Sequence, residues 1–550
     1  MLLRNAGGGI LSWQIDFKST WLKVNFKEGT SEGQIKNIEL SVDTSSLLPG
    51  VYNDTLVISD PQAANTPIEV DIRLTVGIQR YVPSQYPTIQ AAIDACASEG
   101  DAVIIAPGRY TGQGNRDMRI TDKSIIVSSI DPGDPCIVAA TVIDCEGTEK
   151  SNHYGFSITA DIPLSTLIPE KVLLQGLTIT KGYDKSLPSA ISCFGYGCIT
   201  IRWCVLKSNA AGAIRAVCYN MLISECAVID NTNGPGILCG DAYIRDCRIS
   251  GNCGKYGGGV RCAGGSPKIE NTVISSNSAI DGAGIFAMLS KPIIKNVTII
   301  GNRASSFGGG ISCARGATTM LNNCILQLNT APNGGQIASR EVGSSYWSSS
   351  DMTVNYCCIE GGKKEIYLDP NTVLRWDVGN IDADPRFVSS GYWDPNGTPQ
   401  DPNDDFWVDG DYHLKSEGWR YTPYETHGTH WTWDHVTSRC IDAGNPGSPL
   451  GDEPLTLPVD PNNQWGRNLR IDMGAYGGTA EASIPPHNWA LLADLTNDGI
   501  VDLVDFAYSA ENWLTTGSDW PGDLDRNAVV DLADFALFAD DWLEETTWHR

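Results

Sequence analysis

The sequence predicts a mainly β protein: a long stacked parallel β-helix, preceded by a small β-sandwich and followed by a short helical module. Three observations predict this. Aliphatic residues recur around regularly placed anchors from residue 174 to 359. The first 77 residues alternate apolar and polar positions in short runs between turn signals. A 22-residue pattern near the C-terminus occurs twice, offset by 29 residues.

Bulk composition agrees. The 550 residues include 57 Gly and 29 Pro with only 19% charged residues, which favours strands and turns over long helices. A net charge of −26 disfavours nucleic-acid binding, which needs a basic face, and suits divalent cations. No apolar run approaches the roughly 20 residues of a membrane span. The start, MLLRNAGGGI, has no signal peptide, and residues 5–15 read as the middle of a domain, so a preceding segment is expected to be missing.

In residues 1–77, strands are expected at 11–15, 21–24, 38–42, 55–58 and 68–76, with a turn at Leu48-Pro49-Gly50. The stretches NAGGGILSWQI, STWLKV, LSVDTSSLLPGVYNDTLVIS and PIEVDIRLTV resemble BACON-like immunoglobulin-type domains of bacterial surface and carbohydrate-active proteins. In that family the first strand would precede Asn5. Trp13 and Trp21 could meet sugar, but core packing is the expectation.

The repeat segment, residues 78–375, opens with YPTIQAAIDACASEGDAVIIAPGRYTG. An amphipathic helix over 88–98 would present Ile89, Ala92, Ile93 and Cys96 to the open end of a coil. This opening resembles the N-terminal cap of pectin-lyase-like right-handed β-helix proteins. Anchors follow at Leu177, Cys204, Cys226, Cys247, Thr272, Val297, Cys324 and Cys357, 21 to 33 residues apart. An aliphatic stands three residues before each anchor and another two after it. Five after, Asn recurs in six consecutive rungs: Asn209, Asn231, Asn252, Asn277, Asn302 and Asn329. Rungs stacked ~4.8 Å apart place like on like, and Asn both tolerates a left-handed turn and bonds along a stack.

Most of the 17 cysteines then fill inward stacks: Cys204, Cys226, Cys247, Cys324 and Cys357 in one, and Cys193, Cys239, Cys262 and Cys313 in another. They are expected as reduced core thiols. Two residues before the anchors lie Arg202, Arg245, Glu270 and Lys295, which could line a polyanion groove or simply form a solvated face of mixed charge. The NTD, GHG, RIK and WxDH motifs of the fold's enzymes are absent, and His153 stands alone.

Residues 376–487 change character. Six of the 16 Trp fall between Trp376 and Trp433. NIDADPRFV, DYHLKS, TSRCIDAGNPGSPLGDEP and RIDMGAYGGTAEAS resemble the closing region of planctomycete-type β-helix proteins of the choice-of-anchor Q group, which implies closure of the coil's C-terminal end. The aromatics could stack on sugars or plug the coil. His427, His430 and His435 have a spacing open to metal but sit in a polar loop.

In residues 488–550, ADLTNDGIVDLVDFAYSAENWL and GDLDRNAVVDLADFALFADDWL each begin with a calcium-loop pattern. Asp494, Thr496, Asp498, the Ile500 carbonyl, Asp502 and Asp505 occupy loop positions 1, 3, 5, 7, 9 and 12; Asp523, Asp525, Asn527, the Val529 carbonyl, Asp531 and Asp534 repeat them. Such spacing wraps hard oxygens around one Ca2+ per loop, two ions in all. Gly499 makes the turn at position 6, where the second loop has Ala528. Residues 490–545 hold fourteen Asp and Glu against Arg526 alone, so folding should need the cation. Phe506/Phe535 and Trp513/Trp542 match across the repeat. The whole resembles a type I dockerin module, which implies a cohesin-like partner through residues 494–545. Leu503, Val504, Leu532 and Ala533 sit where that family reads its partner. The combined expectation is a secreted or cell-surface, polysaccharide-associated β-helix protein. The alternative is a polysaccharide lyase or glycoside hydrolase acting on acidic polysaccharide from the lateral face.

Overall fold

A computed structural model describes residues 2–3, 10–31, 36–63, 66–160, 172–185, 189–341, 349–398, 400, 405–426, 429–457, 466–517 and 519–549. His427, and Asn5 with the glycines after it, lie outside the described residues.

The N-terminal segment forms a four-stranded antiparallel sheet, centred on Gly50–Ser59 paired with Ile68–Val76, and small facing pairs. A two-residue strand, Leu2–Leu3, pairs with Lys36–Asn37. Trp13 and Trp21 are buried, as core packing requires.

The coil runs from Gln79–Val82 to Val373–Trp376 as three parallel sheets. Helix α1 (Ile89–Ala95), capped by Thr88, covers the first rung with Ile89, Ala92 and Ile93 buried; a second short helix, α2 (Pro135–Ala140), lies over an early rung. The first sheet stacks strands such as Ile199–Arg202, Met221–Ser224 and Ala242–Arg245. The second stacks Val205–Lys207, Ala227–Ile229 and Arg248–Ser250. The third is a ten-stranded sheet from Met118–Thr121 to Ile366–Leu368. Inward aliphatics and the two predicted cysteine stacks fill one continuous core. All seventeen cysteines are unpaired. Burial pushes the thiols of Cys193, Cys226 and Cys357 far above the ordinary range, and the neighbouring Cys239 thiol together with burial does the same to Cys262, so they pack as small apolar groups.

The asparagines form a continuous buried ladder. Each Nδ2 donates to the next Oδ1, from Asn209 to Asn231 (2.8 Å), Asn252 (2.8 Å), Asn277 (2.9 Å), Asn302 (3.0 Å) and Asn329 (2.9 Å). Each Oδ1 also accepts the preceding rung's backbone N–H. The left-handed turn, however, belongs to the residue before each Asn: Ser208, Asp230, Gly251, Ser276, Gly301 and Leu328 have φ between 53° and 66°. The side chain serves the stack while its neighbour makes the corner.

The region 376–487 departs from an end plug. It folds back along the coil and covers the outer face of the second sheet: Val273, Ile300, Ile325, Tyr356 and Cys358 share a second core with Phe387, Tyr412, Met473 and Ala475. Polar bridges follow the same line, with the Ala475 N–H on Thr298 Oγ1 (3.0 Å) and Asn296 Nδ2 on the Gly477 carbonyl (2.6 Å). The physical reason is that the outward residues of these later rungs are apolar, and such a face must be covered. At the end of the coil core itself stand the half-buried Leu374 and Trp376.

The C-terminal module carries α3 (Leu503–Glu511) and α4 (Leu532–Asp540). It docks into the second core through Leu495, Val501, Leu524 and Phe538. Position 4 of each loop anchors it: Asn497 Nδ2 donates to the Gly379 and Ala443 carbonyls (both 2.8 Å), and Arg526 to those of Pro446 (2.8 Å) and Leu469 (2.6 Å).

Candidate functional site

The first sheet's lateral residues do not form an open cationic groove. The Arg202 guanidinium lies on the Trp203 ring, 3.5 Å from its centroid. Arg245 faces Asp246 (3.7 Å). Glu270 accepts the Tyr243 hydroxyl. Lys295 pairs with Asp519 of the C-terminal module (2.6 Å). Each of the four thus rests on a ring or meets a neighbouring polar group.

A cleft lies next to them, between the coil and the folded-back region, with a volume of about 530 Å³. Asp246, Arg248 and Asn271 line one wall, and Asp409, Tyr476 and Glu481 the other. Arg248 pairs with Asp409. Buried His413 bridges Asp411 (2.6 Å) and Glu481 (3.1 Å) and stacks on Tyr476 at 3.7 Å. Burial opposes its charge, but the two carboxylates win and raise its pKa. Burial raises the Asp246 carboxyl as well. DYHLKS supplied His413 in the sequence, yet its partner Glu481 lies 68 residues away, and no local spacing shows that pairing. His413→Gln should cost most stability below about pH 6.5, where the unfolded imidazole is also protonated, and progressively less as pH rises through the elevated folded pKa. Thermal melts of both forms between pH 5 and 9 would show the gap closing upward. His430 Nδ1 donates to the Thr422 carbonyl (3.0 Å), and its ring stacks on Tyr421. Among the described residues, His430 and His435 join no cluster of metal-ligating groups.

The two C-terminal loops are built alike. Position 1, Asp494 or Asp523, accepts the N–H groups of positions 5 and 6. Position 12, Asp505 or Asp534, accepts those of positions 3 and 9. Position 9 caps the helix and position 12 closes a capping box, so one set of carboxylates shapes both loop and helix start. In the second loop, carboxylate oxygens of Asp523, Asp525 and Asp534 lie within 4.8 Å of one another. The first loop has Thr496 in place of that middle carboxylate. Burial and neighbouring carboxylates push Asp494 up to about 6 and raise Asp505, Asp523 and Asp525. Converging oxygens that resist ionisation fit a hard cation, which would hold them ionised. Gly499 and Ala528 both have positive φ, 97° and 71°. An L side chain there is strained, so Ala528→Gly should stabilise the second loop by about 1 kcal/mol. Calorimetric calcium titration should show that site about fivefold tighter.

Leu503 and Leu532 are 71% and 73% exposed, and Val504, Phe506, Trp513, Phe535 and Trp542 also reach solvent. The outer face of the module therefore presents the same apolar set twice.

No curated protein matches the chain in sequence. Among solved structures, pectate lyase Pel9A is similar at 14% identity over 70% of this chain and 89% of its own, with a TM-score of 0.40. An alginate lyase from Paenibacillus sp. str. FPU-7 is similar at 12% identity over 52% and 95% (TM-score 0.28). A Family 28 exopolygalacturonase of Yersinia enterocolitica is similar at 12% over 68% and 92% (TM-score 0.26). Two stretches match protein families: residues 2–71 the viral BACON domain, and residues 189–359 the right-handed beta helix region, which gives the three-sheet coil its class.

Proposed function

We propose that this is a secreted or cell-surface, polysaccharide-associated β-helix protein, held to a larger assembly through a calcium-organised, dockerin-like C-terminal module. The observation that carries the reading is the duplicated loop with its duplicated exposed apolar face. Two ions, held by residues 494–505 and 523–534, would neutralise the carboxylates and fix both helices. The face then offers a cohesin-like partner two equivalent footprints, led by Leu503 with Val504 and by Leu532 with Ala533. Calcium-dependent capture by a panel of cohesin-like domains tests this. With two equivalent footprints, Leu503→Asp or Leu532→Asp alone should leave binding near wild type, and the pair together should weaken it at least 100-fold. Failure of every partner in calcium, or binding that persists in the double variant, overturns the reading.

A second reading, a polysaccharide lyase or glycoside hydrolase, is favoured by the cleft. Asp246, held toward its protonated form, and Glu481, bound to His413, give two carboxyl groups in unlike environments, as acid–base cleavage of a glycosidic bond requires. Screening acidic and neutral polysaccharides for unsaturated products and reducing ends tests it. Activity lost in Asp246→Asn and Glu481→Gln would support it; silence on every substrate would not.

A further inference from the structure

The third sheet has a charge pattern unlike the rest of the chain. Its ten strands contain Arg119, Arg215, Arg261 and Arg340 and no Asp, Glu or Lys. The chain as a whole has 65 acidic residues against 39 basic ones, so an all-arginine sheet opposes the overall balance. Strand register places Arg119, Arg215 and Arg261 in one outward column, through Ser157 and Ser192 above and Leu238 between. Arg340 stands one outward position along, three rungs after Arg261. Arg215 and Arg261 are two rungs apart, about 10 Å.

Arg215 and Arg261 lack a carboxylate partner among the described residues. The Nε of each is buried without a hydrogen-bond acceptor. Arg215 lies over Phe194 (5.6 Å) and Arg261 over Tyr256 (5.8 Å), so apolar rings hold both guanidiniums in place. Tyr196 and Tyr219, each 52% exposed, stack at 5.3 Å and 7° on the rim. Arg119 also lines an open cavity of about 820 Å³ beside α1. The second sheet is covered by the folded-back region; the third retains the exposed Tyr196 and Tyr219 rings and the half-buried Arg215 and Arg261.

We propose that the outer face of the third sheet binds a polyuronate strand lying along the coil axis, with Arg215 and Arg261 on carboxylates of alternate sugar residues and the Tyr196–Tyr219 pair against a sugar ring. The planar guanidinium fork fits a carboxylate, and pre-ordered stacking lowers the entropic cost of forming the pair. This rests on the polysaccharide reading above and names the ligand class and the face.

The test uses the full chain in calcium. Binding to polygalacturonate is measured by affinity electrophoresis and calorimetry, beside neutral dextran, dextran sulfate and duplex DNA. The expected result is binding to polygalacturonate alone that weakens with salt, falls at least tenfold in Arg215→Ala/Arg261→Ala, and is unmoved by Lys18→Ala/Lys27→Ala in the N-terminal sandwich. Should the alanine pair fail to fold, Tyr196→Ala/Tyr219→Ala, at exposed positions, should lose at least fivefold. No polygalacturonate binding, equal binding by both sets of variants, or equal capture of dextran sulfate or DNA overturns the proposal. Partner capture by the C-terminal module, measured on the same proteins, separates this failure from failure of the tethering reading.

Discussion

Asn252→Ala should cost the coil roughly 3–5 kcal/mol, the largest effect expected of any single polar substitution in this protein. Asn252 is fully buried at the middle of the ladder. Its Oδ1 accepts both the backbone N–H and the Nδ2 of Asn231, and its Nδ2 donates to the Val228 carbonyl and to Asn277. Alanine removes the Asn231 backbone N–H's acceptor and the Val228 carbonyl's side-chain donor, and takes one of two partners from Asn231 Nδ2, which keeps the Leu206 carbonyl, and from Asn277 Oδ1, which keeps the backbone N–H of residue 252. A buried donor left unpaired costs about 1–3 kcal/mol, and no solvent reaches this position to compensate. Lys207→Ala, at an exposed position of a nearby rung, should change stability by no more than about 0.5 kcal/mol. Urea unfolding followed by circular dichroism compares the two. An Asn252→Ala midpoint equal to that of Lys207→Ala would mean that the apolar stacks alone hold the register.

Chelation of calcium, or Asp505→Ala with Asp534→Ala, should unfold the C-terminal module. Position 12 in each loop accepts N–H groups from two other loop positions and also begins the helix. At calcium a thousandfold above its Kd, each ion would contribute about 4 kcal/mol to the folded state. Without it, fourteen carboxyl side chains across residues 490–545 repel one another. The loss should spread beyond the module, because Val501, Leu524 and Phe538 share a core with Ile325 and Tyr356 of the coil. The measurements are calcium titration, expected to give two sites in the wild type and none in the double variant, and dye binding to newly exposed apolar surface. A module that stays helical in chelator, with no change in dye binding, would contradict the calcium reading.

Much of the coil was legible because it is one-dimensional: each rung repeats its neighbour, so the periodic aliphatics, cysteines and asparagines report their own stacking. The cap helix was legible for a related reason, since its apolar face recurs at helical spacing. The loops' turns and helix caps were legible because their carboxylates and the N–H groups they accept lie within twelve residues. Other features gave no such signal. Ser208, Asp230 and Leu328 share no residue type, so the sequence offered nothing to place the left-handed corner on them rather than on the adjoining Asn. His413 and Glu481 meet only after the region beyond residue 376 turns back.

The amino-acid order alone therefore determined the repeating coil, its inward stacks and the paired loops, because these depend on local period and spacing. Tertiary structure decided which outward faces are covered and which are left open. The apolar residues of the second sheet drew residues 387–475 over themselves, and the C-terminal module followed, taking Lys295 as a partner for Asp519. Lys295 of the first sheet was thereby paired, while Arg215 and Arg261 on the third kept apolar rings and no carboxylate. Which sheet carries uncompensated charge is a property of packing between distant segments, and no local window of the chain contains it.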